Sequence, residues 1–396
     1  MHYNFDKIID RKGTYSTQWD YIADRFGRSD ILPFSISDTD FQIPYPVQET
    51  IEKFNQKGIY GYSRWNHDDY KKSISTYFYK KTQIELSADW VVYSPSVLYT
   101  ISILLRELCN QNRTVLTFTP MYDSFYSVVQ ENGLNLLESK LFPEKGAFCI
   151  DFDDLEEKMK QADVFLLCSP HNPTGRSWSA EELQKMIQIC KKYDRPIISD
   201  EIHMDILRPS VTHIPILAYY DFYEKMYLVS SASKTFNIPG LLGSYAFLPD
   251  QTMRERFLTI QKKRDFLNSP PILHVLATMT CYSQCFDYVE QLCPYIDENL
   301  RYVEQFISAN LPEFSYHPAQ ATYLAWIDCR SMPWSMDQLQ DAFVNIAKVG
   351  IMNGKVYGDE HYLRMNCGAP RSKIKEGMTR VLEAVECLRR GETYAN

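Results

Sequence analysis

This 396-residue sequence has no basic surplus: 42 lysines and arginines stand against 50 aspartates and glutamates, for a formal net charge of -8. Nor does it contain the lysine or arginine run that tracks a phosphate backbone, which argues against nucleic acid as a partner. No apolar stretch reaches the roughly 18 residues of a membrane helix. The opening Met1-His2-Tyr3-Asn4-Phe5-Asp6-Lys7 also lacks the apolar centre of a secretion signal. These absences predict a soluble cytoplasmic protein without a membrane partner. The 10 cysteines are scattered, with no CxxC pair. Cys281 and Cys285 stand one helical turn apart, but without HExxH or paired-cysteine spacing the expectation is buried thiols and no metal. Internal repeats, low-complexity tracts and Gly/Ser linkers are missing as well, so the chain reads as one continuous globular unit.

What the sequence has is apolar mass and an alternating pattern. A hydrophobic content of 45% over this length supports a large core, and the length itself predicts one large and one smaller domain. Short apolar runs, Thr114 to Phe118, Val164 to Cys168 and Pro196 to Ser199, alternate with segments of helical period. One such helix is predicted over 180–193, with Ser179 as N-cap and Glu182 at the capping-box spacing. The alternation predicts an α/β fold, a mainly parallel sheet covered by helices on both faces. Ligands of such sheets bind beyond the carboxyl ends of the strands. After about Phe286 the pattern becomes a long helix, then a strand at Tyr323 to Ile327 and an amphipathic helix from about Lys373 to Arg390, which reads as a smaller α+β domain.

Four segments are placed at strand ends: Ser169-Pro170-His171-Asn172-Pro173-Thr174-Gly175, Asp200-Glu201-Ile202-His203, Ser231-Ala232-Ser233-Lys234 and Arg364-Met365-Asn366. Singly each has an ordinary reading as a turn, a helix cap, a surface loop or a surface ion pair. Together they match the needs of pyridoxal 5'-phosphate (PLP). That cofactor requires an unprotonated amine for its Schiff base, for which Lys234 is the candidate. It also requires a buried carboxylate at the pyridine nitrogen, which Asp200 can supply, and a neutral donor to the phenolate oxygen, such as the Asn172 amide. The phosphate calls for N–H groups at a helix start, where Ser96 and Val97 lead into a predicted helix, together with the hydroxyls of Ser231 and Ser233.

With these residues in place, the sequence resembles the fold-type I PLP enzymes of the aspartate aminotransferase superfamily over nearly its whole length. Within them it is most similar to the MalY/PatB-like carbon-sulfur lyase branch, often called cystathionine β-lyases. The segments carrying that likeness are Gly61 to Trp65, Pro120 to Tyr126, Pro170 to Gly175, Ser199 to Asp205, Ser233 to Gly240 and Pro370 to Ser372. The resemblance implies a large PLP-binding domain over 46–285 with a mainly parallel seven-stranded sheet. It also implies a small α+β domain over 286–396, against which residues 1–45 pack. By the same resemblance Lys234 binds PLP, Asp200 pairs with the ring nitrogen, and Asn172 faces the phenolate. Tyr122 is implied to stack on the ring and take part in catalysis, with a core aromatic as the alternative. His203 either approaches the phenolate side or is a satisfied buried histidine. Arg364 would hold the substrate α-carboxylate and Asp38 would lie near the substrate. Tyr62 would reach the phosphate of a neighbouring subunit, so that a homodimer shares its active sites.

The implied activity on the small-molecule substrate is α,β-elimination. Lys234 takes the α-proton, and L-cystathionine, cysteine or related S-substituted cysteines yield pyruvate, ammonia and a thiol. An aminotransferase would use the same residues, and a regulatory protein-binding module on this fold is the non-enzymatic alternative. One departure touches specificity. The branch carries Trp-x-Ala-Asp-Met-Asp-Phe near its start, whereas here Ser35-Ile36-Ser37-Asp38-Thr39-Asp40-Phe41 has a serine for the aromatic and a threonine for the methionine. Ser94 also replaces a glycine common in the phosphate loop.

Overall fold

Uninterrupted apolar runs suit strands that are covered on both faces. In the computed structural model, which describes residues 1–110, 112–144 and 146–391, the strands begin with β1 (Leu32–Pro33), β2 (Val91–Ser94), β3 (Thr114–Thr119) and β4 (Asn135–Lys140). A short hairpin of β5 (Phe142–Glu144) and β6 (Ala147–Cys149) precedes β7 (Val164–Cys168), β8 (Ile197–Asp200), β9 (Met226–Ser230) and β10 (Ser244–Phe247). The last strands are β11 (Leu324–Asp328), β12 (Val349–Gly350), β13 (Met352–Asn353) and β14 (Tyr362–Asn366). Seven of them form the central sheet in the order β2-β10-β9-β8-β7-β3-β4. From β9 to β4 all neighbours are parallel, and β10 alone runs against both of its neighbours. Every residue of β7, β8 and β9 is buried, as their continuous apolar sequences require.

The helix Ala180–Lys192 links β7 to β8 and opens with both halves of a capping box. Ser179 Oγ accepts from the Glu182 N–H, and the Glu182 carboxylate accepts from the Ser179 N–H. Two backbone donors that a helix start leaves unpaired are thereby satisfied. Its apolar stripe, Leu183, Met186, Ile187 and Cys190, is buried at the spacing of one helix face.

The chain runs outward from β3 to β4, then returns past β3 to β7 and continues to β8 and β9 on the other side. Loops leaving the carboxyl ends of β3 and β7 therefore diverge, and a crevice opens between them. Beside this sheet stands a three-stranded antiparallel sheet, β11-β14-β13. Its strands β11 and β14 share a buried cluster with the helices Phe286–Asn310 and Arg371–Arg389. The chain start joins this part: β1 pairs in parallel with β12, and the Asn366 N–H donates to Phe34 O at 2.9 Å. Glycine is required where these pieces meet, since a Cβ at Gly377 would stand 2.5 Å from Phe34 Cζ. This pairing carries Ser35 to Asp40 towards the ends of the central strands.

One placement differs from the sequence expectation. Arg364 lies in the middle of β14, opposite Trp326 of β11, and not at a strand end of the central sheet. A short buried strand with one arginine reads alike in sequence whichever sheet it joins. Among the described residues, no helix is long and apolar enough to cross a membrane, and no group of His, Cys, Asp and Glu is placed to hold a metal.

Candidate active site

The carboxyl ends of five central strands deliver side chains to one cavity of about 390 Å³. Ser96 and Val97 follow β2, Tyr122 follows β3, and Asn172 follows β7. Asp200 ends β8, and Ser231, Ser233 and Lys234 follow β9, with His203 close behind Asp200. Arg364 of β14, with Ser35, Ile36 and Ser37 of the segment that follows β1, completes the cavity wall. A concave site with few convergent polar groups is the usual setting for a small ligand.

The buried charges have distinct states. Burial pushes the Asp200 carboxyl up to about 7, against a hydrogen bond from the Ile202 N–H to Oδ1 and the attraction of Lys234. An adjacent cation would hold this group ionised. Desolvation holds Lys234 below an ordinary lysine, with Arg364 acting in the same direction and Asp38 and Asp200 opposing. Its Nζ donates to the main-chain oxygen of Ser37 at 2.9 Å. His203 is buried and brought down to about 3 by desolvation and by Lys234 and Arg364, so its ring is neutral. Its Nδ1 has no partner among the described residues.

Arg364 is 4% exposed and lies 4.2 Å from the Tyr357 ring centroid. It donates from Nη1 to Asn172 Oδ1 at 3.2 Å and from Nη2 to Ser35 O at 3.0 Å, while its Nε is buried without a partner among the described residues. Among the described residues no carboxylate pairs with it. Since a guanidinium only donates, its bond to Oδ1 fixes the Asn172 amide and leaves the NH₂ group for other partners. Tyr122 is partly buried, with its ring 5.7 Å from Phe125, and burial raises its phenol pKa.

At the opposite end the helix Val97–Leu108 points its start into the cavity. Ser96 Oγ accepts from the Tyr99 N–H, whereas Val97 and Leu98 line the cavity with first-turn N–H groups that have no intrahelical acceptor. Such a start suits an anion. Ser231 Oγ is committed to Gly243 O at 2.8 Å and accepts from the Ser233 N–H. Ser94 Oγ turns back to Ser96 O at 3.0 Å, so the residue that replaces glycine is accommodated outside the cavity.

These groups fit PLP. The cavity combines a depressed lysine, a buried carboxylate, an amide with free NH₂ and an anion-binding helix start, and it leaves His203 Nδ1 and Arg364 Nε unpartnered among the described residues. Two sequence candidates are not part of this cavity's wall. The Asp38 carboxylate is held by Arg11 at 2.6 Å, and its charge acts on Lys234. Tyr62 is fully exposed, in a separate surface hollow with Tyr60 and Leu242. Other contributors were missed. Ser37 O accepts from both Lys234 and Tyr323, Asn366 Nδ2 donates to Ile36 O and Asp38 O, and Tyr357 underlies Arg364. Backbone carbonyls leave no sequence signal; the run from Tyr323 to Ile327 was the only hint of Tyr323.

The Asp200 shift has a measurable sign. A carboxyl near 4 when unfolded and about 7 when folded contributes stability below pH 4 that is lost as pH rises through 7. In cofactor-free protein, the melting temperature of the wild type relative to Asp200→Asn is therefore expected to fall between about pH 4 and pH 8. A difference that does not change with pH would place the carboxylate in a solvated setting.

A family model described as aminotransferase class I and II matches residues 29–381. The chain is 37% identical to protein MalY of Escherichia coli (strain K12) over 393 residues, covering 98% of this chain and 100% of that protein. It is 32% identical to cystathionine beta-lyase PatB of Bacillus subtilis (strain 168) over 387 residues, covering 96% and 100% respectively. The PLP-bound C-S lyase from Staphylococcus hominis superimposes with a TM-score of 0.90 at 29% identity, over 97% of this chain and 98% of that one.

Proposed function

Since the chain belongs to the aminotransferase class I and II family, we propose that it is a PLP-dependent carbon-sulfur β-lyase that cleaves L-cystathionine or related S-substituted cysteines. The observation that carries this is the meeting of Lys234, Asp200, Asn172 and Arg364 in one cavity. The likeness to PatB and to the Staphylococcus hominis lyase directs the reading to C–S cleavage.

When bound, PLP supplies an aldehyde for the amino group and a cationic ring that accepts electrons released at Cα. Lys234 Nζ is the amine that tethers it, and its lowered pKa lets the same nitrogen, once freed, take the Cα proton. Asp200 supplies the buried negative charge that keeps the ring nitrogen protonated, and that ion pair in turn keeps Asp200 ionised. Asn172 donates its NH₂ to the ring oxygen. Val97 and Leu98 offer N–H groups to the phosphate, with the hydroxyl of Ser233 beside them. Arg364 binds the substrate α-carboxylate through its planar fork.

Where Lys234 then delivers its proton separates two outcomes. Delivery to the departing sulfur gives a thiol, and water completes the conversion to pyruvate and ammonia. Were the proton delivered to the cofactor carbon and not to Cα, the amino group would pass to a keto acid as second substrate. Incubation with L-cystathionine and no keto acid is expected to yield pyruvate, ammonia and homocysteine in equal amounts. Turnover that requires a keto acid would establish an aminotransferase instead.

We further propose a cytoplasmic homodimer with shared sites. The cysteines are free thiols, which suits a reducing compartment. Tyr62 stands among exposed Ile59, Tyr60 and Leu242, and Leu242 also lines the cavity. An apolar patch reaching the site's mouth suits a second copy that contributes Tyr62 to the phosphate. Sedimentation at the 46.4 kDa of one chain would contradict this.

A further inference from the structure

With Lys234, Asp200 and Asn172 assigned to the cofactor and Arg364 to the α-carboxylate, two charged side chains on the cavity wall remain unused: Arg25 and Asp123. Arg25 is exposed on the short helix Ala23–Phe26, and its Nη1 donates to Met352 Sδ at 3.2 Å. A thioether is a weak acceptor, and among the described residues no carboxylate pairs with this guanidinium. Asp123 opens the helix Asp123–Gln130 immediately after Tyr122 and is half-buried. No cation among the described residues forms an ion pair with it. Both charges act on Tyr357, the ring beneath Arg364, and in opposite senses, so they share one region of the cavity. An acidic first turn suits a helix dipole; that accounts for the charge of Asp123 but not for its place on the wall. Ser35, a small buried residue with an unpartnered Oγ, borders the same cavity and leaves it open.

We propose that Arg25 and Asp123 form the far end of the substrate site, where they read a zwitterionic group carried on the substrate's sulfur. Arg25 takes the distal carboxylate and Asp123 the distal ammonium. This rests on the lyase reading and assigns the residues that would recognise the tail of such a substrate. A pair of opposite charges without an ion-pair partner among the described residues favours such a tail over an alkyl tail, which would leave both charges unmatched.

The test compares kcat/KM of the holoenzyme on L-cystathionine and S-methyl-L-cysteine, which share the reacting end and differ at the tail. The ratio of the two is expected to fall about fivefold in Arg25→Ala and in Asp123→Asn, as for a solvent-accessible ion pair. Arg25→Lys is expected to recover most of it. Equal changes on both substrates, or an unchanged ratio, would overturn the proposal. Should Arg25→Ala fail to fold, Asp123→Asn decides, because it keeps the size of the side chain. Wild-type enzyme that releases thiol from neither substrate would overturn the lyase reading itself, before any variant is made.

Discussion

Replacing Lys234 with alanine is expected to lower kcat for β-elimination by about 10³-fold or more, with loss of the visible absorbance of the bound cofactor. Two functions disappear together. Nζ is the atom that ties the cofactor to the chain, and it is also the base placed to take the Cα proton. Its surroundings prepare it for both: desolvation and Arg364 hold its pKa below that of a free lysine, so more of it is neutral near pH 7. Its present acceptor, Ser37 O at 2.9 Å, is a neutral carbonyl that does not lock it in the charged form. A small primary amine added to the Ala variant is expected to restore part of the turnover, because the fold and the remaining donors persist. Near-normal activity in the variant would remove Lys234 from the mechanism.

The second large effect is expected at Arg364. Arg364→Ala should lower kcat/KM for amino-acid substrates by about 30-fold to a few thousand-fold, corresponding to about 2 to 5 kcal/mol for a desolvated charge pair. The guanidinium is buried, rests on the Tyr357 ring and pairs with no carboxylate among the described residues, so a bound carboxylate meets an unneutralised cation in a dry setting. Its removal also releases Asn172 Oδ1, and with it the orientation of an amide assigned to the cofactor. Most of the loss should fall on KM. Arg364→Lys should recover only part, since a point charge lacks the planar fork. An unchanged kcat/KM in Arg364→Ala would place the α-carboxylate elsewhere.

Much of the fold was legible because burial writes itself into sequence. β7, β8 and β9 are covered on both faces, so their runs contain almost nothing polar until the strand ends, where Asn172, Asp200 and Lys234 stand. The capping box of Ser179 and Glu182 was readable because its chemistry is local. What escaped depends on distant partners. The resemblance placed Asp38 near the substrate; that Arg11, 27 residues earlier, engages its carboxylate was not legible. The sheet to which Arg364 belongs is set by pairing with β11 and β13, which a short apolar strand does not announce. The clamp on Ser35 to Asp38 is made of backbone carbonyls, which are the same in every residue type. Arg25 reads as an ordinary surface arginine until a four-residue helix sets it at the cavity.

The most direct test is reductive trapping. Holoenzyme treated with borohydride, digested and analysed by mass spectrometry should carry a phosphopyridoxyl group on the peptide containing Lys234. A label on a different lysine, or no label in protein that turns over substrate, would contradict the assignment on which the site rests.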